Sequence, residues 1–194
     1  MSRPADRHRV VTQNGLMQQH RVYECQNRHH YQYQCRHRPQ PFAMHFPKLE
    51  AMYARFAELK ASLQHAFGDT LPAVVTLRFA NPTSVFLYTE NSTPQYVLEQ
   101  LGLSSALPQP PKEWGIVQKR LSELQHVEQG YVLYFLPFAE EKKVQKSVLW
   151  RAMPFVQAGR VNSVRSVWSY GGAMSLLYSA EAISESLLAV APQS

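Results

Sequence analysis

Apolar residues recur at helical spacing at Leu49, Met52, Phe56, Leu59 and Leu63, just after Pro47 and ahead of Gly68. This predicts an amphipathic helix with proline in its first turn and glycine past its end. Ala73 to Phe79 is a short apolar run, read as a buried strand. Asn81-Pro82 turns the chain, and Val85 to Tyr88 follows as a second strand. Thr93-Pro94 opens a helix through Leu101 that Gly102 ends. Leu107 to Lys112 carries three prolines and reads as a loop leading to Trp114. Further on, the pattern predicts a short helix over Lys119 to His126 and the most strand-like run of the chain over Tyr131 to Leu136. A helix over Glu140 to Trp150, a turn at Ala158-Gly159 and a strand over Val161 to Val167 come next. The last helix, Gly172 to Val190, carries Leu176, Ala180, Ile183 and Leu187 on one face. Strands alternating with helices predict an α/β domain with a mostly parallel sheet flanked by helices.

The first forty residues show no such periodicity and hold few aliphatics after Val22. Such a segment buries too little apolar surface to offset its ordering entropy. Residues 1–44 are therefore read as a disordered, basic tail, and the abrupt change near Pro41 opens the reading of a non-native leader. Residues 45–70 are read as a helix and 71–194 as the α/β lobe proper.

Charge sharpens that division. The formal net charge of the 194 residues is +6, but residues 1–40 hold seven Arg against Asp6 and Glu24, so the body is close to neutral. A neutral body lacks the basic face that phosphate-backbone binding needs, so no nucleic-acid partner is expected of it. Cys25, His29, His30, Cys35 and His37 suit zinc by residue type, but no Cys-x-x-Cys spacing is present. A basic, His-rich arm binding metal or nucleic acid stays open as a separate reading. The N-terminus has positive charge without the apolar stretch of a signal peptide, and no window offers the roughly 20 apolar residues of a membrane span. The chain as written thus has no route across a membrane and is expected to remain cytoplasmic.

Enzyme signatures are missing. There is no glycine-rich phosphate loop after a strand, no Gly-x-Ser-x-Gly and no His-Glu-x-x-His. Asp69 is the only aspartate after Asp6, which leaves little for carboxylate-pair chemistry. An enzyme reading therefore finds little support, and no cofactor is expected.

The aromatic residues carry the candidate chemistry. Trp168 and Tyr170 stand one residue apart before Gly171-Gly172, on the loop ahead of the last helix. Each ring offers about 150–250 Å² of flat apolar contact, enough to stack on a bulky ligand. Core packing of both rings is an equal reading on pattern alone. Trp150, beside Leu149 and Met153, is read as core.

From about Pro72 onward the chain resembles the C-terminal lobe of the periplasmic ferric hydroxamate siderophore-binding proteins of ABC importers. The specific anchors are the run Leu149 to Val161 and Trp168-Ser169-Tyr170-Gly171. Weaker ones are Val74-Val75-Thr76-Leu77, Asn91-Ser92, Leu101-Gly102-Leu103 and Trp114-Gly115. The resemblance implies a single Rossmann-like lobe of a bilobal class III binding protein, with residues 45–70 as the end of the interlobe connection. It implies a periplasmic location, reached by a longer protein of which this is a part. It implies a ferric hydroxamate siderophore as ligand, stacked on Trp114, Trp168 and Tyr170, with the Tyr170 hydroxyl donating a hydrogen bond. Ile116 stands where the family carries a polar residue. The resemblance also implies docking on an inner-membrane permease through an acidic residue. That position falls on Ser122, with Glu123 adjacent, and a solvated helix charge is the plainer role for Glu123. Related bilobal proteins carry cobalamin, haem or other chelates, which keeps those ligands open.

Overall fold

The computed structural model describes residues 22–28, 32–38, 47–167 and 172–192. They fall into two compact units divided at Phe46/Pro47. In the first, β1 (Val22–Arg28) pairs with β2 (Gln32–Arg38) antiparallel, with Val22 opposite Arg38 and Cys25 opposite Cys35. This differs from the reading of the whole 1–44 segment as disordered. Val22, Tyr23, Tyr33 and Cys35 supply β-favouring residue types that a count of aliphatics passes over. Residues 1–21 and 39–46, and His29 and His30 of the zinc reading, lie outside the described residues.

The second unit is a three-layer α/β lobe. Helix α1 (Pro47–Phe67) buries Met52, Phe56, Leu59 and Leu63, as the spacing predicts, leaves Leu49 of the same face exposed in its first turn, and ends at Gly68 with φ of +84°. β3 (Ala73–Asn81) turns into β4 (Ser84–Tyr88), where the Asn81 side chain accepts hydrogen bonds from the Thr83 backbone N–H and hydroxyl, both at 2.9 Å. Helix α2 (Thr93–Gln100) is capped one residue earlier than expected. Ser92, in extended conformation, accepts from Gln95 N–H, and Pro94 needs no hydrogen-bond partner in the first turn. Two residues, Ser104–Ser105, form the short β5 beside the start of β3.

The expected helix over Lys119 to His126 is replaced by two elements. β6 (Ile116–Arg120) is an edge strand paired with β4, Tyr88 opposite Ile116 and Ser84 opposite Arg120. A single 3-10 stretch, Leu121–His126, follows and buries Leu121 and Leu124, three residues apart, which is the eclipsed spacing of that helix type. After β7 (Tyr131–Phe135), the expected helix over Glu140 to Trp150 is broken in two. Ser147 leaves helical conformation (φ −68°, ψ 144°), ends α3 (Glu141–Lys146), and caps α4 (Val148–Arg151) by accepting from Trp150 N–H at 3.2 Å. Serine competes for backbone donors in this way, and helical periodicity does not register it. Helix α5 (Pro154–Gln157), β8 (Val161–Val164) and α6 (Ala173–Leu188) complete the chain.

The sheet order is β6-β4-β3-β7-β8, with β5 beside β3. β3, β7 and β8 run parallel, while β4 is antiparallel to both its neighbours. Every residue of β7 is buried, because both faces of the sheet are covered. On one face Val74, Leu133, Phe135 and Val164 pack with the buried sides of α1, α2 and α6. On the other, Val75, Leu77, Val132 and Tyr134 pack with Leu121, Leu124, Trp150, Met153 and Phe155. Trp150 is 3% exposed, which agrees with its reading as core. Among the described residues, no helix is long and apolar enough to cross a membrane.

Candidate functional site

Trp114 sits on the loop between the proline-rich segment and β6 and is 81% exposed. The loop beneath it is ordered by backbone bonds. Thr89 N–H donates to Gly115 O at 3.0 Å, Glu90 N–H to Gln109 O at 3.1 Å, and Gly115 N–H to Lys112 O at 2.9 Å. Gly115 has φ of +66°, and a Cβ there would meet Ser92 Cα at 3.3 Å. Only glycine takes that conformation without strain at such close approach. A large ring is therefore held out in solvent by a fixed backbone, an arrangement suited to stacking rather than to core packing.

Trp168 and Tyr170 lie outside the described residues, so Trp114 is the one member of the expected aromatic set whose side chain is placed. The structure does fix both ends of their loop. β8 ends at Val164, and Val167 packs against the core. Arg165 Nε meets Glu185 Oε2 at 2.8 Å. Gly172, with φ of +78°, starts α6, and its carbonyl accepts from the Ser175 hydroxyl at 2.7 Å. The loop follows the carboxyl end of a parallel strand, where open α/β sheets place ligands. Trp114 instead precedes its strand, on the loop entering β6.

Ser122 and Glu123 lie on the 3-10 stretch. The Glu123 carboxylate accepts from Arg120 N–H at 3.3 Å and pairs with Lys119 Nζ at 3.0 Å. The Lys119 hydrogen bond, with Arg120 N–H second, holds its pKa below the usual glutamate value. Glu123 thus already works as the capping carboxylate of its turn. Among the described residues no group of three His, Cys, Asp or Glu gathers to hold a metal ion.

Sequence reading gave Asn91 no role beyond an anchor of likeness and missed β6 altogether. The strand shows only in burial, half-buried Val117 and Lys119 alternating with exposed Ile116, Gln118 and Arg120, and the residue types themselves do not alternate.

No family model matches the sequence. Over 100 residues the chain is 29% identical to the iron(3+)-hydroxamate-binding protein FhuD of Escherichia coli (strain K12), covering 50% of this chain and 34% of that protein. It superposes on the crystal structure of the Fe3+-Desferal-bound siderophore-binding protein FhuD from Vibrio cholerae with a TM-score of 0.74 and 96% sequence identity, over 75% of this chain and 55% of the other. The siderophore periplasmic binding protein from the fuscachelin gene cluster of Thermobifida fusca shares the fold, with a TM-score of 0.56 at 20% identity over 73% of this chain and 54% of the other. The chain spans only about half of the solved relatives' length and about a third of the curated one's.

The sheet and its flanking helices make one α/β lobe of the kind these siderophore-binding proteins contain. In sequence the matched part is similar to FhuD, a siderophore-binding protein.

Proposed function

We propose that this chain supplies the C-terminal lobe of the substrate-binding component of an iron(III)-hydroxamate siderophore ABC importer. The observation that carries the proposal is 96% identity, over the superposed region, with a protein solved with Fe3+-Desferal bound. In this reading Trp114, Trp168 and Tyr170 form an aromatic wall against the ferric chelate, and the Tyr170 hydroxyl orients it. The exposed Trp114 ring on its ordered loop supports the first of these roles. The component acts in the periplasm and delivers its ligand to an inner-membrane permease. Docking would fall to the Ser122–Glu123 turn, where a permease arginine has to compete with Lys119 for the Glu123 carboxylate.

A wall from one lobe offers part of the contact that two lobes share. Halving a binding free energy of about −8 kcal/mol takes a Kd from about 1 μM to about 1 mM. Titration with ferric desferrioxamine, followed by calorimetry and tryptophan quenching, is expected to show saturable binding near the millimolar range. Trp114→Ala and Trp168→Ala should each weaken it. No heat and no quenching at millimolar ligand would remove the siderophore reading, and stronger quenching by cobalamin would replace it with a different chelate.

A further inference from the structure

We propose that Asn91 is the positioning residue that latches the Trp114 loop to the rest of the lobe; the ligand consequence rests on the siderophore reading, whereas the latch itself does not. Asn91 lies just after β4, before the Ser92 cap of α2. Its side-chain amide reaches across 21 positions of sequence to one residue of the proline-rich loop and satisfies both of that residue's backbone groups. Asn91 Nδ2 donates to Lys112 O at 2.7 Å, and Asn91 Oδ1 accepts from Lys112 N–H at 3.1 Å. The same Oδ1 accepts from the Thr89 hydroxyl at 2.7 Å, which fixes the orientation of the amide. Asparagine alone carries a planar donor and acceptor on so short a stem, so it can mimic a strand's paired backbone bonds where Pro108, Pro110 and Pro111 leave the loop short of N–H donors.

Lys112 is two residues from Trp114, and its carbonyl also accepts from Gly115 N–H at 2.9 Å. The amide therefore grips the base of the turn that carries the ring. Gly115 closes the other side by packing on Ser92, whose Cα lies 3.3 Å from where a Cβ would stand. Latch and cap are adjacent residues, so the ring position is set by the start of α2 rather than by contacts of its own. For an indole that is 81% exposed, nothing in its own packing supplies that order. Preordering a stacking ring spares the entropy of fixing it when a ligand arrives.

The test uses this chain labelled with 5-fluorotryptophan, with the Trp114 resonance assigned from Trp114→Phe. In Asn91→Ala the Trp114 fluorine line is expected to shift and narrow while the Trp150 line stays put. Trypsin should cut the Lys112–Glu113 bond about tenfold faster, the scale of one or two lost hydrogen bonds, with cleavage after Lys60 unchanged as the internal reference. Asn91→Asp keeps the acceptor for Lys112 N–H and Thr89 but cannot donate to Lys112 O, so it should fall between wild type and alanine. An unchanged Trp114 line with unchanged Lys112 cleavage overturns the latch. So does a Trp150 line that moves along with Trp114, since Asn91 would then support the fold at large. A silent ferric desferrioxamine titration alongside a positive latch result removes the siderophore reading and leaves the latch standing.

Discussion

Trp150 and Trp114 put a sharp number on the difference between a ring that builds the lobe and a ring that the lobe displays. Trp150 is 3% exposed, and its centroid lies 5.5 Å from Phe79, 6.1 Å from Tyr134 and 5.5 Å from Phe155, all edge-to-face. It thus ties β3, β7 and α5 into one cluster. Truncating such a residue to alanine removes its transfer free energy and leaves a cavity that close-packed neighbours cannot fill, at a cost of about 3–5 kcal/mol. For a domain of this size each kcal/mol lowers Tm by about 2–4 °C. Trp150→Ala is therefore expected to lose roughly 6–20 °C, a large share of a typical stability of about 5–15 kcal/mol. Trp114 has almost no packing to lose, so Trp114→Ala should change stability by no more than about 0.5 kcal/mol, or about 2 °C. Thermal melts followed by far-ultraviolet circular dichroism, with urea midpoints as a check against irreversibility, measure both. Trp114→Ala melting as low as Trp150→Ala would mean that the exposed ring is structural, and the assignment of Trp114 to a binding surface would fail with it.

Two glycines should separate crowding from backbone conformation. Gly130→Ala drives a methyl into Ala106, whereas Gly159→Ala meets open space but keeps φ of +68°; urea denaturation should show about 1–3 kcal/mol lost for the first and about 1 kcal/mol for the second. Ser147→Ala removes the cap of α4 and should cost about 1 kcal/mol by the same measurement, with Ser147→Asp restoring most of it. Tyr134 is pushed up to about 12 from its ordinary 10.0 by burial first and then by its bond to Glu141 at 2.7 Å. Its neutral form is the one the fold favours, so this contribution is whole below pH 10.0 and is lost as pH climbs through about 12. Tyr134→Phe should flatten the fall of the urea midpoint across that interval, and a slope equal to that of wild type would count against the shift.

The body of the fold was readable because burial and periodicity coincide in it. Met52, Phe56, Leu59 and Leu63 on α1, and Ala180, Ile183 and Leu187 on α6, are buried where the spacing put them. β3 and β7 were legible as apolar runs because the sheet is covered on both faces. The misreadings share a different cause, which is local polar chemistry. Ser147 splits a helix by accepting a backbone hydrogen bond, and Ser92 rather than Thr93 caps α2. β6 was hidden because an edge strand with one exposed flank keeps Lys119 and Arg120 beside Val117, a mixture that also suits a helix. Of the aromatic set, Trp114 is placed on an ordered loop, while the part given to Trp168 and Tyr170 rests on likeness. Asn91 escaped notice because its partner, Lys112, is remote in sequence and is engaged through its backbone, which no side-chain pattern records.

The order of the strands sets a timetable for synthesis on the ribosome. β3 can pair with β4 as soon as the turn at Asn81 to Ser84 has formed, but its other edge waits for β7, whose Tyr131 aligns with Val74. Until the chain has been made through Phe135, the apolar faces of Val74, Val75 and Leu77 lack the neighbour that seals them, and β8 and α6 arrive later still. A nascent chain stalled between Tyr88 and Tyr131 therefore presents an open strand edge flanked by greasy faces, the feature that chaperones hold and that otherwise seeds aggregation. Because β7 lies between β3 and β8, the inner edge of the sheet is sealed only late in synthesis.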